Sequence, residues 1–382
     1  MPDGKITARG LNRATLGRQL LLEREPLPVA DAVRRVVALQ AQEPASPYVA
    51  LWNRISTFDP ADLDAAFAAG EVVKATLMRV TLHAVGIDDY RSLREAMEPT
   101  LRGARLHDRR FAASGLTLDE ADEVIPELVD YLGEPRTVTE CEAWLEQRAG
   151  ASAVKGAWWA FRQYAPLLHV PGGGPWSFGT RRSFVAPRSR PAVPDADAAE
   201  ASMETMAVRY LEGFGPASAL DIAQFGMVNR PRVRKALQAL AGDLERVEGP
   251  DGEELFDVPG ALRPDEDTPA PPRLMAMWDS TLLAYADRSR MIPPHLRKLV
   301  IRMNGDALPT LLVDGLVAGV WRTVEGGIEA TAFHPLADVA WEGLSAEAGA
   351  LMALLAHRGP DVYRRYHHWW AKLPAGEVRR LA

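Results

Sequence analysis

Gln40 and Gln42, in the run LQAQEPASPY, place two carboxamides one residue apart. An amide is a poor general base, so such a pair can catalyse only where the substrate needs little activation. An alkylated purine nucleotide is a substrate of that kind, because its base already carries positive charge and departs neutral. Its transition state resembles an oxocarbenium ion, and two amide oxygens can position water and face that charge. Positions i and i+2 of an α-helix point about 200° apart, so the pair cannot share a site inside a helix. The Val-rich segment after Pro28 predicts a helix reaching Leu39, with convergence only where the backbone leaves it near Ala41. Glu43 stands before Pro44 and is pushed out of the helical region, which suits such fraying. The plain alternative is a pair of solvated residues satisfying free carbonyls at a helix end.

A second polar set lies in LMRVTLHAV. Arg79, Thr81 and His83 would share one face of a strand, opposite Met78, Val80, Leu82 and Ala84, and could line a cleft. The alternative is a set of structural hydrogen-bonders. His367 and His368 are adjacent and point apart, so HHWW reads as domain packing. VPGGGPW lacks the Lys-Ser/Thr of a phosphate loop, and no serine sits in an elbow motif. No paired carboxylates stand out, which disfavours ordinary acid/base glycoside hydrolysis. The single cysteine, Cys141, and the absence of Cys/His clusters at zinc spacing predict neither disulfide, metal nor cofactor.

The elements that must position these residues read as α+β. Helices are expected from Asn12 to about Arg24, around Tyr48–Ile55 and from Pro60 to Phe67, with residues 73–86 as a long strand or strand pair. The clearest local pattern is PASALDIAQFGMVNRPRVRKALQALAGDLERVEGPDGEELFDVP. Ser218 caps a short helix ended by Gly226, Asn229 opens a second, and two strands flank Pro250-Asp251-Gly252. Helix, turn, helix, hairpin is a winged helix-turn-helix, with Arg230, Arg232, Arg234 and Lys235 at the start of a DNA-recognition helix. TVTECEAWLEQ, KGAWWAFRQYAPLL and LLHVPGGGPWSFGTRRSF repeat that order about 80 residues earlier, with Arg181 and Arg182 beside the second wing. Three such motifs in tandem are expected, at 1–115, 116–195 and 196–265, followed by a C-terminal α/β region at 266–382. Pro- and charge-rich stretches at 187–198 and 263–273 mark two of those breaks. Winged helices also serve as protein–protein modules.

The C-terminal region carries a hairpin over 308–322 turning at Asp314-Gly315, apolar on both faces. Arg288, Arg290, Arg297 and Lys298 precede it. An apolar wedge flanked by basic residues, with Leu316 and Val317 at its tip, is how minor-groove proteins kink a duplex. A buried central hairpin would show the same pattern.

The net charge of −7 opposes nucleic-acid binding on average. Of the 44 basic residues 38 are Arg, however, and clustered Arg supplies bidentate phosphate contacts. The polar N-terminus and the lack of an apolar run near 20 residues predict a soluble cytoplasmic protein, nucleoid-associated and off the membrane. Tandem modules in one chain predict a monomer.

LNRATLGRQLLLER, the QAQ run, RVTLHAV, WDSTLLAYADRSR and LPTLLVDGLVAGVWR recur in an order that resembles the AlkZ/YcaQ superfamily of winged-helix DNA glycosylases, over nearly the whole chain. That resemblance implies tandem winged helices in a C-shape around duplex DNA carrying alkylated or cross-linked purines. It also implies a catalytic Gln-x-Gln motif falling on Gln40 and Gln42, nearer the AlkZ branch, and a hairpin that engages DNA. Unhooking of interstrand cross-links, as self-resistance to a DNA-alkylating natural product, would follow for such a member. With no lysine or amino terminus expected beside the pair, the enzyme would be monofunctional. The rivals are a winged-helix regulator without enzymatic activity and a protein that sequesters the alkylating compound.

Overall fold

The computed structural model describes residues 4–381. Among these residues thirteen strands form three antiparallel sheets among helices, the α+β mixture read from the sequence. The first sheet has six strands: β1 (Leu39–Gln40), β2 (Val72–Thr76), β3 (Leu82–Gly86), β4 (Arg136–Thr137), β5 (Leu168–His169) and β6 (Ser183–Val185), in the order β1-β3-β2-β5-β6-β4. β7 (Glu245–Glu248) and β8 (Glu254–Asp257) pair alone. β9 (Arg273–Leu274), β10 (Thr310–Val313), β11 (Leu316–Val324), β12 (Gly327–Ala332) and β13 (Glu377–Leu381) form the third, in the order β13-β12-β11-β10-β9.

The helix-turn-helix and hairpin read at 216–258 are present. Ser218 and Asp221 form a capping box on the helix Ala219–Gly226, and Met227 closes it in the left-handed conformation. Arg230–Ala239 follows, with β7 and β8 as its wing. The earlier copy differs. Its helices Val138–Ala149 and Val154–Tyr164 form, but β5 and β6 join the six-stranded sheet through β2 instead of closing an independent wing.

The apolar cores ignore the expected segment boundaries. One cluster joins Leu16, Val33, Tyr48 and Leu63 to Leu311, Trp321, Leu344 and Tyr363, so 1–115 and 266–382 share a core. A second runs from Val37 through Phe161 and Phe214 to Tyr285. The apolar helix Asp338–Ala356, 19 residues long, is long and apolar enough by composition to span a membrane, contrary to the sequence reading. It places Trp341, Leu344, Ala348, Leu351 and Leu355 in the first core, while Val339 is exposed.

Several of the strings singled out in the sequence do their work as struts. Arg54 and Asp279 form a doubly hydrogen-bonded ion pair, fully buried. Ser280 Oγ donates to the carbonyl of Ala38 at 2.8 Å, fixing the backbone that leads into β1. Arg18 donates to both carboxylate oxygens of Asp257 on β8, tying the helix Ala8–Arg18 to the wing. Removing one partner from such a buried pair costs about 3–5 kcal/mol, because the other charge is left without compensation.

Candidate active site

The helix predicted to reach Leu39 ends at Arg35, and Val37 at φ 72° turns the chain. Gln40 therefore lies on a strand, paired with His83 on β3, and the Ala41 amide donates to the carbonyl of Leu82 at 2.8 Å. β1 ends at Gln40 and Gln42 lies in the bend that follows, so a strand end, and not a fraying helix, places the two residues. Each glutamine is held by one of two adjacent residues, Thr81 and Leu82. Gln40 Nε2 donates to Thr81 Oγ1 at 3.1 Å, and the Leu82 amide donates to Gln42 Oε1 at 3.5 Å.

The long-strand alternative for 73–86 is also replaced. β2 and β3 are a hairpin whose turn holds Arg79 and Val80 at φ 55° and 56°. Arg79, Thr81 and His83 do not share a strand face in the manner expected, yet they converge on Gln40. Arg79 donates to Gln40 Oε1 at 3.2 Å, to His83 Nε2 at 3.1 Å and to the Phe225 carbonyl at 3.0 Å. A guanidinium only donates, so His83 Nε2 accepts and Nδ1 carries the proton toward the Thr81 carbonyl, 3.1 Å away. Burial and then the Arg79 charge push the His83 pKa well below its ordinary value, and burial brings Arg79 down to about 10. His83 is neutral at physiological pH.

The two glutamines differ in surroundings. Gln40 is 5 % exposed, with its oxygen facing Arg79. Gln42 is exposed and lines a cleft of about 710 Å³. Five arginines (Arg105, Arg162, Arg181, Arg182, Arg365), Lys74, and the rings of Trp159, Trp176 and Phe178 share that cleft. A positive, aromatic-lined concavity suits a phosphate backbone and a base. Residues 172–179 of the β5–β6 connection are held on one wall: Ser177 Oγ and Tyr48 Oη donate to Asp64 at 2.6 and 2.5 Å, and Phe178 meets Phe67 edge-on. Glu43 is held at the rim by Arg365 and by Tyr366 Oη at 3.1 Å.

The sequence reading missed Lys74, Arg105, Arg162, His169 and Arg365. The available signal was a lysine inside the apolar strand VVKAT, unusual for a strand buried on both faces. Lys74 also removes the ground for expecting no amine near the pair. Burial and then the neighbouring Lys74 and Arg182 charges lower His169 to about 3, so it too is neutral.

The predicted DNA-binding residues do not lie together. Arg181 and Arg182 are exposed in the cleft. Arg230, Arg234 and Leu316 line a second groove of about 1110 Å³ beside the wing β7–β8. Arg297 and Lys298 are exposed on the helix Arg297–Val300. Arg232 and Lys235 are instead paired with Glu200 at 2.6 and 3.2 Å, and Arg290 donates to the Pro216 carbonyl and lies 4.1 Å from the Tyr285 ring centre. Arg288 is half-buried. The wedge at 308–322 is corrected by burial. Val317 is 1 % exposed inside the third sheet, and of the two tip residues Leu316, at 37 %, reaches solvent.

Comparisons with known proteins identify the family. The sequence model of the family described as DNA glycosylase AlkZ-like matches residues 33–354. The chain belongs to that family. An interstrand DNA cross-link repair glycosylase of Streptomyces sahachiroi is 24% identical over 334 residues, 83% of this chain and 88% of its own length. The solved structure of Streptomyces sahachiroi DNA glycosylase AlkZ shares the fold at a TM-score of 0.76 and 20% identity, covering 93% of this chain and 97% of the other.

Proposed function

We propose that this protein hydrolyses the N-glycosidic bond of 7-alkylguanine-type nucleotides in double-stranded DNA, and accepts such bases within interstrand cross-links. One observation carries the reading: Gln42 lies exposed in a cleft of arginines and aromatic rings. Gln42 Oε1 positions the attacking water and faces the positive charge that develops at C1′. Gln40 contributes less directly, because an amide oxygen that accepts from Arg79 has much of its negative charge compensated. It holds Thr81 and the turn of the β2–β3 hairpin in place for Gln42. Neither residue needs to protonate the leaving group, since the alkylated base departs neutral.

A cross-linked base cannot swing freely out of the duplex, and an open cleft suits it better than a closed nucleobase pocket. Gln40 lines neither this cleft nor the groove beside the wing β7–β8. The repair of interstrand cross-links named for the Streptomyces relative supports that extension, and self-resistance to a DNA-alkylating natural product is the biological role it suits. Incubation with methylated duplex DNA should release free 7-methylguanine, followed by chromatography. Tight binding without any released base would identify a DNA-binding regulator instead.

A further inference from the structure

The cleft holds a group that base release leaves unused. Lys74 lies in the middle of β2, paired with Ala84 on β3 and with His169 on β5. It is 4 % exposed, and its ammonium lies 4.4 Å from the centre of the Phe178 ring. The Lys74 ammonium forms no hydrogen bond or ion pair among the described residues. The charged groups around it are Arg182 and Glu43, and His169 beside it is neutral. Burial first and Arg182 second bring the amine down to about 8, with Glu43 opposing them. The other five cations of the cleft are arginines. For contact with a phosphate, arginine would serve at least as well, with five donors and a permanent charge. Lysine at this one place adds a different property: it can shed its proton and become a nucleophile.

We infer that Lys74 condenses with the aldehyde of the abasic sugar left by base release and holds the product as an imine. The inference rests on the glycosylase reading, whose product supplies the aldehyde. Base release leaves a C1′ hemiacetal in equilibrium with the ring-opened aldehyde. The neutral Nζ adds its electron pair to C1′, and the ammonium proton passes to solvent or to the new alkoxide. The resulting carbinolamine takes a proton from solvent and expels its hydroxyl as water, leaving an iminium at C1′. Addition of water reverses each step, so nothing is oxidised or consumed. Covalent capture would keep a fragile abasic site covered until it is passed on.

The test uses the full-length protein and a duplex carrying one preformed abasic site, with sodium borohydride present to reduce any iminium to a stable amine. A covalent protein–DNA adduct is expected, mapping by peptide mass spectrometry to Lys74, with its yield at least 10-fold lower in Lys74→Arg. Trapping should accelerate as pH rises through about 8 and then level off, because only the free amine reacts. No adduct, or an adduct mapped to another amine in the wild-type chain, overturns the inference whether or not the variant folds. Base release from alkylated DNA is measured separately on the same preparation. Release without an adduct sinks the capture step alone, whereas an adduct without release sinks the glycosylase reading and leaves the amine chemistry standing.

Discussion

The hairpin β10–β11 and the strand pair β5–β6 each join short strands beside arginines, but only the second leaves those arginines in a cleft. At the β10–β11 turn Asp314 and Gly315 have φ of 48° and 79°, the left-handed pair that a tight two-residue hairpin demands. Arg9 donates to Asp314 at 2.8 Å, Arg13 pairs with the same carboxylate, and Asn12 Nδ2 donates to the Gly315 carbonyl at 2.9 Å. The turn is thus bound to the first helix, and β11 is the middle strand of a five-stranded sheet. The β5–β6 connection folds its apolar residues Trp176 and Phe178 back against Tyr48 and Phe67. Arg181 and Arg182 are left exposed, with no ion pair to either among the described residues. Apolar residues on both faces of a strand signal burial, whereas an Arg pair after a glycine-rich connection signals a surface available to a partner.

Charge reversal at the exposed pair should have the largest effect. Arg181→Glu with Arg182→Glu should weaken duplex binding on the order of 100-fold, since phosphate contacts are lost and repulsions gained, and should lower the salt slope by about 2. Fluorescence anisotropy across a salt series checks this, and an unchanged slope would move the DNA elsewhere. At the docked hairpin, Arg13→Ala should cost on the order of 2 kcal/mol in unfolding free energy by removing charged hydrogen bonds. Thermal or urea melts would show it, and affinity of the folded protein should stay within about twofold. A variant that melts normally but fails to bind would reverse the comparison. The smallest effect is expected at Leu316→Ala, whose side chain is the hairpin's exposed remnant. Duplex affinity should hold within about twofold, and a large loss would restore the wedge.

How much was legible in the sequence follows from the same physics. Capping boxes, turn residues and the 216–258 unit could be read because they depend on local spacing, as at Ser218 and Asp221. The QAQ run and RVTLHAV were picked out as chemistry, and the fold brings them together. Their backbone was misread. Val37 in a left-handed conformation ends the helix early, and nothing in a valine announces that. Lys74, Arg105 and Arg365 are far apart in sequence, and only the sheet order and the docking of the C-terminal segment bring them to one cleft. The dense basic run gives no sign that Arg232, Lys235 and Arg290 also have partners within the fold, although Lys235 stays exposed and Arg290 lines the groove beside β7–β8. Their partners, Glu200 and the Pro216 carbonyl, lie beyond the reach of a local pattern.

The central claim is that Gln42 acts directly on the substrate from the cleft while Gln40 supports it from its buried place beside Arg79. Single-turnover release of 7-methylguanine from a methylated duplex, at enzyme concentrations saturating for each variant, separates the two. Gln42→Ala should lose at least about 100-fold in rate, the scale of removing one preorganised electrostatic partner, with duplex affinity within a few-fold of wild type. Gln40→Ala should lose measurably less. A Gln42→Ala enzyme that folds, binds DNA and releases base at the wild-type rate would contradict the account.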